Sequence, residues 1–212
     1  MKEAIKAFLN RFDLFAPFLL RWEGALEKEG WFRSYRERAS VNRDGRPIPW
    51  MTYAAIHFLE KRVDRSMKVF EYGAGNSTFW WAERVNSVLA CEHDRDWYGM
   101  LLKRLPGNVT LVQIDLEYGG AYSGEIQKFS KKFDIVVVDG RDRVNCIRNT
   151  LNSLTERGVI ILDDSNVTDY DEGRKFLHST GFREITLEGM GPVMHTSKTT
   201  SIFYRSNNCL CI

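Results

Sequence analysis

In Val69-Phe70-Glu71-Tyr72-Gly73-Ala74-Gly75-Asn76-Ser77-Thr78, two glycines follow an apolar run and three polar residues follow the glycines. Glycines at such a turn let the backbone come close to a ligand. Asn76 or Ser77 can cap the next helix, whose free N–H groups favour a carboxylate or phosphate. Twenty-one residues after Glu71 stands Glu92, in Ala90-Cys91-Glu92-His93-Asp94. A carboxylate there can accept hydrogen bonds from both ribose hydroxyls of an adenosine. Two more acidic groups close apolar runs, Asp139 after Val137-Val138 and Asp163-Asp164 after Ile161-Leu162. Neighbouring parallel strands would gather Asp139, Asp163 and Asp164. Three carboxylates repel unless a positive charge joins them, and hard oxygen ligands suit Mg²⁺ or Ca²⁺. The competing reading has Asp163 and Asp164 capping backbone groups while Asp139 contacts Arg141 or Arg143.

These residues need strand ends to hold them. Strands are predicted at Lys68–Tyr72, Ser87–Glu92, Val109–Ile114, Phe133–Asp139, Gly158–Asp163, Phe182–Leu187 and Thr199–Tyr204. Helices are predicted between them at about 77–86, 95–105, 122–131, 142–156 and 171–180. Such alternation means βαβ units and a parallel sheet covered on both faces. The last two strands have no room for a crossover helix and should pair antiparallel. The expected fold class is α/β: a Rossmann-like, seven-stranded, mostly parallel sheet with an antiparallel last strand, spanning residues 66–212. Residues 1–65 form a helical N-terminal extension, with Pro17 breaking the first helix, a second helix to about Lys28, a basic loop over Arg33–Pro49 and a helix over Thr52–Val63. The extension would serve as a substrate cap, or as an interaction surface able to pair two copies of the chain into a homodimer.

With these motifs in register, the sequence resembles class I S-adenosylmethionine-dependent methyltransferases over about residues 66–205. The resemblance rests on Glu-x-Gly-x-Gly at Glu71–Gly75, on Glu92, on Asp115 after the third strand and on the closing antiparallel pair. It implies that Glu71, Gly73, Ala74, Gly75, Asn76, Ser77 and Thr78 embrace the methionine moiety, that Glu92 holds the ribose, and that His93 and Asp115 meet the adenine. A capped helix start is the alternative for His93 and Asp94. Asp139, Asp163 and Asp164 further resemble the ligand set of metal-dependent O-methyltransferases such as the catechol and macrolide-sugar enzymes, with Gly140 replacing the catechol enzymes' bulky residue. That resemblance implies Mg²⁺ on these three acids, with Asp139 and Asp164 at the catalytic centre.

The Asn/Asp-Pro-Pro-aromatic motif of nucleobase and protein-amide methylation is absent after the fourth strand, so a hydroxyl on a small molecule is the favoured acceptor. The 212 residues carry 30 Lys+Arg and 28 Asp+Glu, a net charge of +2, which speaks against wholesale nucleic-acid binding. No apolar run is long enough to span a bilayer. Four cysteines without a second ligand cluster fit a reduced, cytoplasmic protein. His195, in the loop 189–198, is a candidate base beside His57 and His93. Arg33, Arg36, Arg38, Arg43 and Arg46 suit an anionic, sugar-like acceptor, although a solvated loop explains them more readily. Two other functions stay open: an NAD(P)-dependent oxidoreductase, which would prefer a third glycine near Thr78, and a non-catalytic cofactor-binding or interaction protein.

Overall fold

The computed structural model describes residues 2–212. Five helices come first: α1 (Lys2–Arg11), α2 (Phe15–Trp22), α3 (Ala25–Glu29), α4 (Trp31–Glu37) and α5 (Tyr53–Glu60). Then β1 (Lys68–Tyr72), α6 (Asn76–Ala82), β2 (Ser87–Glu92), α7 (Arg95–Leu102) and β3 (Val109–Gln113) make two βα units. They are followed by α8 (Ala121–Gly124), β4 (Phe133–Val138), α9 (Arg143–Thr150), β5 (Leu154–Asp163), α10 (Asp171–Ser179), β6 (Arg183–Gly189) and β7 (Lys198–Tyr204).

The seven strands form one sheet in the order β3-β2-β1-β4-β5-β7-β6. β1 pairs parallel with β2 and β4, and β4 pairs parallel with β5. β7 runs antiparallel to both β5 and β6. Successive side chains of a strand face opposite sides of the sheet, and the core divides accordingly. Val69, Ile135, Val137, Val159, Ile161 and Ile202 pack with α5 and α6, whereas Phe70, Tyr72, Val136, Val138, Ile160, Leu162 and Phe203 pack with α8, α9 and α10.

The N-terminal elements depart most from the sequence expectation. Pro17 lies inside the first turn of α2, where its missing N–H costs nothing, and the chain breaks earlier, at Asp13 with φ +53°. The expected second helix is divided between α2 and α3 at Gly24, whose Cα has no room for a β-carbon against the Leu20 backbone. The basic segment begins as helix α4, so Arg33 and Arg36 are helical residues. Toward the other end, the expected helix 122–131 is one α-turn, α8, continued as a 3-10 turn, and the helix after Asp142 ends before Leu154, which opens β5.

Candidate active site

Strand parity and register assemble the acids. Glu71, Asp139 and Asp163 all occupy odd positions of strands whose odd positions face α5 and α6. Tyr72 pairs with Val138 and Val138 with Leu162, so Asp139 and Asp163 leave adjacent strands side by side. Asp163 pairs with Thr200 of β7, which brings Lys198, two residues before it, to the same face.

Glu71 is fully buried at the end of β1. Its Oε2 accepts a hydrogen bond from Thr78 Oγ1 at 2.5 Å, and its Oε1 has no partner. Burial raises its carboxyl to about 7, against the neighbouring hydroxyls of Ser77 and Thr78, and the nearby Glu92 adds to the rise. Thr78 Oγ1 in turn accepts from Gly75 N–H at 3.0 Å, which ties the loop to the first turn of α6. Gly73 has φ +88°, and a β-carbon there would lie 2.7 Å from Gly140 Cα. Gly75 is extended, and a β-carbon on it would meet nothing within 4 Å. Ala74 is held from both sides: its carbonyl accepts from Trp97 Nε1 at 2.8 Å and its N–H donates to Glu92 at 3.2 Å. Asn76 Nδ2 donates to the Ser40 carbonyl at 2.8 Å, which fixes the hairpin ahead of α5 over the loop. Ser77 is buried in the first turn of α6.

Glu92 Oε1 accepts the N–H groups of His93 and Asp94 at 2.7 and 2.8 Å, and Oε2 accepts that of Ala74. Oε2 thus keeps one lone pair for a further donor. Asp94 caps α7 by accepting from Trp97 N–H at 2.9 Å. His93 Nδ1 lies 2.9 Å from Glu92 Oε1 but outside hydrogen-bonding geometry, and its ring meets the edge of Tyr122. Asp115 is exposed and bound by Arg95 through two hydrogen bonds, with Gln113 as a third donor at 2.8 Å. The arginine holds its carboxyl below the usual range.

Asp139, Asp163 and Asp164 each place an oxygen within 4.8 Å of the others. Lys198 Nζ is hydrogen-bonded to Asp163 Oδ2, lies 3.0 Å from Asp164 Oδ1 and donates to the Trp50 carbonyl at 2.8 Å. Thr200 donates to Asp163 Oδ1 at 2.6 Å. Arg143, the first residue of α9, stands 3.2 Å from Asp139 Oδ1 and 3.5 Å from Asp164 Oδ2, and donates to the Asp163 carbonyl at 2.5 Å. Burial works against the Lys198 charge, but Asp163 and Asp139 outweigh it and its pKa is raised. Asp139 is pushed well above the usual carboxylate range, first by burial and then by Asp163. Asp164 adopts φ +50°, a left-handed conformation that Asp tolerates better than most residues.

Arg143 is the partner of Asp139 that the competing sequence reading named, whereas Lys198, which meets Asp163 and Asp164, has no place in that reading. Arg143 sits at i+4 from Asp139, which was a visible signal, and Lys198 shares strand parity with Thr200. His195 is exposed and makes no hydrogen bond or ion pair among the described residues. Its loop is nonetheless anchored, with the Met194 carbonyl accepting from Trp31 Nε1 at 2.6 Å and the Met190 carbonyl from Tyr53 N–H at 2.9 Å.

No protein-family model matches the sequence, and no curated protein does. Solved structures match its shape. Precorrin-8W decarboxylase from Methanobacterium thermoautotrophicum shares 21% identity, with 80% of this chain and 97% of that chain covered and a TM-score of 0.57. A methyltransferase-like protein from Silicibacter pomeroyi shares 23% identity over 74% of this chain and 89% of that chain, at a TM-score of 0.53. A Streptococcus mutans protein in complex with SAH shares 13% identity over 70% and 94%, at 0.51. The fold is that of the class I S-adenosylmethionine-dependent methyltransferases. In methyltransferase-fold terms, the Glu71–Thr78 turn lies at the carboxyl end of the central strand β1, and the Asp139–Lys198 cluster lies at the ends of β4, β5 and β7.

Among the described residues, no helix is long and apolar enough to cross a membrane.

Proposed function

We propose that this protein transfers a methyl group from S-adenosylmethionine to a hydroxyl of a small, anionic, sugar-like acceptor. The observation that carries the reading is Glu71 Oε1, a buried oxygen without a partner beneath a glycine turn that is open at Gly75. An unsatisfied carboxylate oxygen in such a place calls for a ligand that brings a positively charged donor.

S-adenosylmethionine, when bound, supplies an electrophilic methyl group on a sulfonium. Glu71 would accept from its ammonium, the free N–H groups of α6 would meet its carboxylate, and Glu92 has capacity for one ribose hydroxyl. Asp139 would take the proton of the acceptor hydroxyl: it is largely buried, and its raised pKa makes it a better base than an ordinary carboxylate.

The anionic character of the acceptor is supported by a cavity of about 320 Å³ lined by Arg21, Arg33, Arg36 and Arg43, with Glu27 and Glu37. Arg33 is fixed there by Glu37 at 2.8 Å and by the Arg43 carbonyl at 3.2 Å. Trp31, on the same helix as Arg33 and Arg36, joins this cavity's wall to the loop 189–198.

A divalent ion on Asp139, Asp163 and Asp164 fits poorly. Five of their six carboxylate oxygens already face Lys198, Arg143 or Thr200, and only Asp139 Oδ2 is without a named partner. No step is therefore routed through a metal.

Thermal denaturation with S-adenosylhomocysteine and, separately, NAD⁺ tests the reading, because a ligand that binds only the native state raises the melting temperature. A rise with S-adenosylhomocysteine alone, followed by methyl transfer to phosphorylated or carboxylated sugars, supports it. A rise with NAD⁺ alone overturns it.

A further inference from the structure

We infer that Lys198 is the resident cation of the acidic cluster, so that this site takes no divalent metal. A metal bound to three aspartates needs oxygens that face an open centre and a cavity in which to keep its remaining ligands. Here the centre is filled. The Lys198 ammonium donates to Asp163 Oδ2 and to the Trp50 carbonyl at 2.8 Å, and pairs as an ion with Asp164 Oδ1 at 3.0 Å. Its charge is therefore met by two carboxylates and a carbonyl, and the residue is only 7% exposed.

Moving the ammonium aside for an ion would break two charge-assisted hydrogen bonds and one ion pair, and leave the Trp50 carbonyl without its donor. Arg143 closes the opposite side by spanning Asp139 and Asp164 while bonding to the carbonyls of Gly140 and Asp163. The two cations come from different elements, β7 and α9, and both are held by backbone carbonyls as well as by carboxylates. Their positions are thus fixed by the fold and do not depend on the acids alone. The acids need countercharge, and the chain supplies it from its own side chains.

The experiment uses the full chain, with Mn²⁺ as probe. Electron paramagnetic resonance of Mn²⁺ titrated into the wild type should show only the free hexaaqua signal at millimolar metal, and Mg²⁺ or Ca²⁺ should not move the melting temperature. Lys198→Met opens the space between Asp163 and Asp164 and should tighten Mn²⁺ binding by about tenfold or more, since the freed oxygens are the hard ligands such ions prefer. Asp164→Asn in that background should remove the gain.

Stoichiometric Mn²⁺ binding by the wild type, abolished by Asp139→Asn, would overturn the inference. So would a folded Lys198→Met protein that binds no better than the wild type. If Lys198→Met does not fold, the wild-type titration decides by itself. The inference rests on the methyltransferase reading only for the site's use. Failure of S-adenosylhomocysteine to bind would sink that reading and leave the metal titration unaffected.

Discussion

Gly73 and Gly140 meet backbone to backbone: a β-carbon on Gly73 would lie 2.7 Å from Gly140 Cα, and one on Gly140 would lie 3.0 Å from Gly73 N. This contact joins the turn after β1 to the turn after β4, and so joins the Glu71 loop to Asp139.

Alanine substitution should therefore separate three glycines of the site. Gly73→Ala forces a β-carbon into backbone at φ +88°, and Gly140→Ala drives one to 2.1 Å from Tyr122 Oη. Each should cost about 2–4 kcal/mol in urea unfolding, from strain and overpacking. Gly75→Ala has open space and an extended backbone, so its stability should stay within about 0.5 kcal/mol of wild type. It should nonetheless lose the melting-temperature rise with S-adenosylhomocysteine, because the new methyl group occupies ligand space.

Glu71 should make the ligand-free protein sensitive to pH. Its folded pKa of about 7 lies above the ordinary 4.5, so the native state holds the proton more tightly than the unfolded chain. The resulting stability is complete below 4.5 and is lost as pH rises through 7. Glu71→Gln cannot ionise, and above pH 7 it should be more stable than wild type by up to roughly 3 kcal/mol, a gain that closes toward pH 4.5. The same variant should bind S-adenosylhomocysteine about 10- to 100-fold more weakly by calorimetry, since a charged acceptor is lost.

The Tyr122 hydroxyl is buried and has no hydrogen-bond partner. Tyr122→Phe removes the polar atom and keeps the ring against Tyr72 and His93. Its urea midpoint should rise, by about 1 kcal/mol in stability. A fall of that size would mean that the hydroxyl has a partner in solution.

Asp139→Asn should lower kcat by a factor of about 10² to 10⁴ with KM for the acceptor little changed, which is the pattern of a lost base. His195→Ala should lower kcat far less, because the imidazole is exposed to solvent. Steady-state kinetics on the two variants decides which of these groups takes the proton.

β1 and β2 were legible in the sequence to the residue, since each is a short apolar run ended by a glycine turn or an acid. The acids were legible for the same reason: strand ends and period-two alternation place Asp139 beside Asp163 without knowledge of any contact. What the sequence hid lies across the chain. Lys198 meets Asp163 over 35 residues, and Trp31 meets Met194 over 163, and no local pattern reports such pairings. Where four N-terminal helices stand, the sequence predicts two and a loop, because short helices with Gly24 and Gly30 at their ends leave little periodicity to detect.

The N-terminal segment reaches its partners late in the life of the nascent chain. The Trp50 carbonyl waits for Lys198 and the Thr52 amide for the Thr200 hydroxyl, each 148 residues downstream. A ribosome releases α5 long before it makes β7, so α5 can settle on β1 and α6 first and gains these two hydrogen bonds only later. The acid cluster acquires its lysine only when β7 is made, and until then the three carboxylates must be neutralised by Arg143 and solvent.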